Sequence, residues 1–247
     1  MQAKKRSVVT LSAVLAVLLV APGCESLQKS GLGETVLGVF NSGSGEMTLS
    51  TMVAGLKEAL QVGTGKTVAA TSSQGGYLNN PLIRIKMPAE LDKMATALRK
   101  VGLGSQVDQF ENKMNEAAEL AAKEAAPVFI EAIQGMTFED AKAILQGSDT
   151  AATDYFRGKT SASLKQRYRP IIQAQMQQLG VVKLSQDLEQ KYNQIPFVPK
   201  TTVSVEDYVT DKALAGLFST LAGEEKKIRQ DPAARTTELL RQVFGKK

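Results

Sequence analysis

From Thr48 to the C-terminal end, apolar residues recur every three or four positions, and this spacing restricts the chain to helices packed on helices. Met52, Val53, Leu56, Leu60, Gly63 and Thr67 mark one face of a first helix. Val107, Phe110, Met114, Ala117, Ala118, Ala121 and Ala125 repeat the pattern, with Glu and Lys expected on the opposite, solvent side. The alanines predict a close helix–helix approach. Thr137-Phe138-Glu139-Asp140 has the form of a capping box, opening a short helix that Gly147 closes. Lys159–Leu179 and Val181–Asn193 are further helices, separated at Gly180. Ser204-Val205-Glu206-Asp207 caps another, whose core stripe is Val209, Leu214, Leu217, Phe218 and Leu221. Asp231-Pro232 supplies an N-cap and a first-turn proline for the last helix.

Two stretches break the rhythm. Gly75-Gly76-Tyr77-Leu78-Asn79-Asn80-Pro81 reads as a turn, and Leu82–Pro88 alternates as an extended segment does. Ile195-Pro196-Phe197-Val198-Pro199 is the second such stretch, and it leads into Thr201-Thr202-Val203. The expected fold is therefore all-α: a single multi-helix domain over residues 49–247, with a short extended element or a β-ribbon formed by these two stretches.

The first 23 residues read differently. Lys4-Lys5-Arg6 precede an apolar run from Val8 to Ala21, of the length of an export signal and short for a membrane-spanning helix. Ala21-Pro22-Gly23 then meet Cys24, the chain's single cysteine. A small residue before a lone cysteine is similar to the lipobox of bacterial lipoproteins, whose cysteine is acylated. That motif usually has Leu where this chain has Ala21, and Pro22 is unusual in it. Lipidation at Cys24 is expected, with several acyl chains anchoring far more firmly than one, at about 0.8 kcal/mol per buried methylene. Glu25 next to the cysteine points, by resemblance to enterobacterial sorting, to an outer-membrane lipoprotein facing the periplasm. Residues 24–48, with Gly31, Gly33, Gly38, Gly43 and Gly45, are expected to act as a flexible tether.

Composition narrows the chemistry. Histidine is absent, which removes the usual general base and imidazole metal sites. Loss of Lys4, Lys5 and Arg6 takes 30 Lys+Arg to 27 against 25 Asp+Glu, so +5 becomes +2. Nucleic acid is therefore not an expected partner. Gly63-Thr64-Gly65-Lys66-Thr67 ends like a phosphate-binding loop, but Leu60 stands where its first glycine belongs. A turn between helical segments is the expected structure there. Glu224-Glu225-Lys226-Lys227 reads as a solvated helical surface, and Glu206, Asp207 and Asp211 add further carboxylates.

Several segments also carry a family resemblance: Gly75–Pro81, Arg99–Gly104, Met114–Glu119, Tyr208–Leu214, Glu224–Arg229 and Pro232–Thr237. Together they resemble the bacterial domain-of-unknown-function family numbered 4197, from about residue 49 to the C-terminus. The resemblance implies an exported, mostly helical Gram-negative protein and no particular activity.

The expected function is that of an envelope lipoprotein. Its non-catalytic helical domain would bind an envelope protein or an apolar ligand and need no cofactor or metal. The alternative is a hydrolase or transferase that uses carboxylates without histidine. The polar cluster expected to form a ligand or partner site is Tyr77, Asn79, Asn80 and Arg84 with Arg235. Asparagines before proline also shape turns by bonding their own backbone.

Overall fold

A computed structural model describes residues 48–197 and 204–245. In chain order its helices are α1 (Leu49–Ser72), α2 (Asp92–Lys100), α3 (Gly104–Ala122), α4 (Ala125–Gln134) and α5 (Phe138–Gln146). They continue with α6 (Ala151–Gln178), α7 (Val181–Asn193), α8 (Val205–Gln230) and α9 (Glu238–Gly245). Short 3₁₀ turns occupy Ala89–Leu91 and Pro232–Ala234. Among the described residues there is no β-strand, so the domain is all-α.

The capping signals act as their chemistry requires. Thr137 accepts from the Asp140 N–H while the Asp140 carboxylate accepts from the Thr137 N–H, a reciprocal capping box. Ser204 accepts from the Asp207 N–H at the start of α8. Asp231 also caps, accepting from Ala233 N–H, but what it opens is the 3₁₀ turn, and α9 begins only at Glu238. Gly180 joins α6 to α7 in the left-handed conformation, φ +70°, which a side chain would strain.

The core is built where the apolar stripes meet. α6 and α8 pack along each other at the centre, α1 lies on α8, and α3 packs against both α6 and α8. Phe129, Phe156 and Phe218 meet edge-on, with Phe129 and Phe156 ring centroids 5.2 Å apart. The whole alanine face of the 107–125 stripe is buried, as the spacing predicts. The chain nonetheless breaks at 123–124, and Ala125 opens a separate helix, α4.

Two expectations are corrected here. The Gly63–Thr67 segment is continuous helix within α1, not a turn. Thr64, Thr67 and Thr71 are buried, and their hydroxyls donate to the carbonyls of Leu60, Gly63 and Thr67, so polar residues sit inside the helix pair at little cost. Second, the extended stretch is shorter than its alternation predicts: Leu82 and Ile83 belong to the preceding turn, and residues 84–88 form the short extended element, with no strand pairing among the described residues. Of the other half of the expected ribbon, residues 195–197 lie in a bend and turn after α7 and residues 198–203 lie outside the described residues, as do the signal segment, Cys24 and the tether up to residue 47. No helix among the described residues is long and apolar enough to cross a membrane.

Candidate functional site

In place of a β-partner, the extended segment has α3. Glu111, Asn115 and Glu119 stand at i, i+4 and i+8, one above the other on a single helix face. Glu119 is buried, and its carboxylate accepts three backbone N–H groups from the glycine turn. Oε2 takes Gly75 at 3.0 Å; Oε1 takes Tyr77 at 3.0 Å and Leu78 at 3.1 Å. One turn earlier, the fully buried Asn115 amide reads both backbone groups of Ile85. Its Oδ1 accepts the Ile85 N–H and its Nδ2 donates to the Ile85 carbonyl, each at 2.8 Å. A neighbouring strand would make the same pair of bonds. Glu111 completes the ladder, accepting the Met87 N–H at 3.0 Å while its other oxygen lies 3.4 Å from Arg84.

On the far side the loop is tied to α8. The Tyr77 hydroxyl donates to the Ala213 carbonyl at 2.7 Å. The Tyr77 ring fits there because position 216 is glycine: a Cβ on Gly216 would stand 2.6 Å from the ring. Burial, reinforced by Tyr168 and Glu119, pushes the Tyr77 phenol well above its ordinary pKa and keeps it a neutral donor.

Alternation then decides what faces outward. Ile83, Ile85 and Met87 are buried, while Leu82, Arg84 and Lys86 are exposed. Successive residues of an extended chain also aim their backbone groups at opposite edges. The edge carrying Ile85 is covered by α3, so the Arg84 and Lys86 edge faces away from it. On that side, the Tyr208 hydroxyl donates to the Lys86 carbonyl at 3.1 Å. Between this edge and α8 lies an open groove of about 430 Å³. Its walls are Leu82, Arg84 and Lys86 on one side and Tyr208, Lys212 and Ser219 on the other, with Gly216 among the lining residues. Among the described residues, three cations line it and no acid does. Lys212 stands 5.5 Å from the centre of the Tyr208 ring.

The residues singled out from sequence are only partly brought together. Tyr77 is fully buried behind the groove. Asn79 closes the turn with its N–H on the Gly75 carbonyl, and the Asn80 side chain accepts the Leu82 N–H, so both shape the turn. Arg84 lines the groove. Arg235 belongs elsewhere: it donates to the carbonyls of Ile228 and Arg229 at the C-terminal end of α8. At 1.5 Å per residue from Ala213, that is roughly 20 Å from Tyr77.

Glu225 corrects a further expectation, since it is buried rather than solvated. It accepts the Ala152 and Thr153 N–H groups and the Thr153 hydroxyl, capping α6 from α8, and Arg229 pairs with it at 2.9 Å. Glu224 does lie as a surface pair with Lys227, and Asp207 and Asp211 pair with Arg169 and Lys165 across the α6–α8 surface. Among the described residues no cluster of three Asp, Glu, Cys or His could hold a metal ion.

The sequence reading missed Glu111, Asn115 and Glu119 as a unit, and with them Lys86, Tyr208 and Lys212. A signal was present: each ladder residue directly follows a buried one (Phe110, Met114, Ala118), so the stripe borders the core instead of opposing it.

Among the described residues, fold and site together define a helical domain that holds an extended segment by helix side chains and leaves one of its edges beside a cationic groove. The chain matches, over residues 46–245, the family described as "Protein of unknown function (DUF4197)", and it belongs to that family. No curated protein and no solved structure matches it.

Proposed function

We propose that the protein is an envelope lipoprotein, held in the membrane through acylated Cys24, whose helical domain binds a protein partner without catalysis. The observation that carries the binding reading is the groove between residues 82–86 and α8, with its three cations and no lining acid. Its walls are fixed in place by buried side-chain bonds, and a preformed cleft binds without first having to be ordered. The apolar-ligand reading has less support. The cavity under Phe244, lined by Leu56, Leu60, Leu221 and Ile228, has free space of only about 20 Å³, room for roughly one water, and the apolar cleft at Leu49, Met52, Val53, Phe138 and Leu145 holds about 160 Å³, below the usual size of a small-molecule site. Against the carboxylate-enzyme alternative, the two buried carboxylates among the described residues, Glu119 and Glu225, are taken up by backbone N–H donors, joined at Glu225 by the Thr153 hydroxyl and Arg229. An acid or base in catalysis must reach the proton it moves.

The test has two arms. Metabolic labelling with a palmitate analogue should mark the wild-type chain and not Cys24→Ser; equal labelling of both would refute the anchor. A photo-crosslinking amino acid placed in living cells at Leu82 or Ser219 should trap one discrete protein. The same probe at exposed Lys183 on α7 should not trap it. Identical patterns from all three positions would refute the groove as the binding surface.

A further inference from the structure

Taking the groove as the binding surface, we infer that its occupant is an extended peptide segment rich in carboxylate side chains, paired through its backbone to the open edge at Arg84 and Lys86. The backbone argument comes first. Around Ile85, one edge of the segment is fully used: Asn115 takes both polar groups of Ile85, and Glu111 takes the next N–H on that edge, Met87. On the other edge, the Arg84 carbonyl and the Lys86 N–H have no hydrogen-bond partner among the described residues, although the Arg84 N–H is spent on the Asn80 carbonyl and the Lys86 carbonyl accepts from the Tyr208 hydroxyl. A free carbonyl and a free N–H flanking one residue are the pair that a neighbouring strand engages. Peptides that add a strand to an exposed edge gain affinity this way. An isolated anion or a lipid headgroup could use the cations but not this acceptor–donor pair.

Charge then selects the peptide. Lys86 and Lys212 make no ion pair with any described residue, and Arg84 has only Glu111, at 3.4 Å, which also serves Met87. The three cations come from both walls, so carboxylates on either face of an extended segment find one. Leu82, 86% exposed at one end of the groove, offers an apolar contact alongside. Like charges facing this lining would cost free energy, so basic segments are rejected.

The experiment uses the full chain purified in mild detergent and a fluorescent, end-blocked octapeptide of alternating Glu and Thr, followed by anisotropy. Binding is expected at low salt and should weaken as salt rises, with none for the Lys–Thr counterpart. The double variant Lys86→Met/Lys212→Met, both positions exposed, should weaken binding about fivefold or more with an unchanged circular dichroism spectrum. Peptides N-methylated at alternate amides test the edge: one register should lose binding and the other keep it. Equal binding of acidic and basic peptides, indifference to the double variant, or equal behaviour of the two registers would overturn the proposal. So would phosphatidylglycerol vesicles competing for a chain that ignores the peptide. A groove crosslink that persists when the acidic peptide fails would sink this inference and leave the partner-binding reading standing. Failure of both would sink both.

Discussion

Replacing Glu119 with Ala tests the central physical claim, that one buried carboxylate holds the glycine turn. The substitution removes the acceptor of three N–H groups. Tyr77 is fully buried, so its N–H is orphaned outright, whereas Gly75 and Leu78 are half-buried and can recover water. A buried orphan costs about 1–3 kcal/mol, and each rehydrated charge-assisted bond costs less. Relief of the carboxylate's own desolvation offsets part of this. The net expectation is a loss of about 3 kcal/mol, a large share of the 5–15 kcal/mol typical of a domain. Glu119→Gln separates charge from shape. Its oxygen can still serve Tyr77 and Leu78, but its amide would then face the Gly75 N–H donor to donor, for a loss of about 2 kcal/mol. Urea unfolding of the full chain, followed at 222 nm, gives the numbers from midpoint shifts at constant slope. Amide exchange at Tyr77 and Leu78 should quicken in both variants. A loss below about 1 kcal/mol for Ala, with exchange at those amides unchanged, would refute the reasoning.

Three further outcomes can be measured on the same protein. Asn115→Leu keeps the volume but strands both polar groups of Ile85, and should cost about 3 kcal/mol by urea unfolding. Gly216→Ala drives a methyl into the Tyr77 ring and should cost about 1–3 kcal/mol, whereas Gly65→Ala in α1, with no atom within 4 Å of the new Cβ, should stabilise by about 0.5–1 kcal/mol. Burial raises the phenols of Tyr77 and Tyr168 above the ordinary value of 10.0, so the neutral form is favoured in the folded state. That contribution is complete below pH 10 and lost as pH rises through 10 toward the raised folded values. Melting temperature should therefore fall steeply above pH 10, and less steeply in Tyr168→Phe.

The helices were legible because their signals are local. The stripe from Val107 to Ala121 is buried at each of its positions, and Thr137 and Ser204 cap where their spacing to Asp140 and Asp207 says they should. Boundaries were less legible. α6 starts at Ala151, eight residues before Lys159, because its N-terminus is capped by Glu225, 73 residues away along the chain. The same long-range bond explains why Glu224-Glu225-Lys226-Lys227 misled as a uniformly solvated run. Of the expected polar cluster, Arg84 was legible and Arg235 was not. An arginine's reach of several ångströms lets it bond to whichever carbonyls the tertiary fold presents, here those ending α8. The ladder was harder still, since two glutamates and an asparagine on an alanine-rich helix satisfy the composition of a solvent face. Only their register against Phe110, Met114 and Ala118 places them at the border of the core.

That register also bears on why a lone extended segment persists in a helical domain. A strand without a neighbour leaves its buried backbone groups unpaired, and each such group is costly. Here the helix substitutes for the missing strand because four helical residues rise about 6.0 Å, close to the rise of two extended residues, about 6.6–6.8 Å. Glu111 and Asn115 are one turn apart and engage Met87 and Ile85, which are two residues apart. The mismatch of roughly 0.7 Å per step is small enough for two rungs to fit without distorting the helix. Before Arg84 the chain is a turn, and the third rung, Glu119, accordingly grips the glycine turn instead. Side chains projecting from one helix cover only one edge of the segment, and on the opposite edge the Arg84 carbonyl and the Lys86 N–H are left without a hydrogen-bond partner among the described residues.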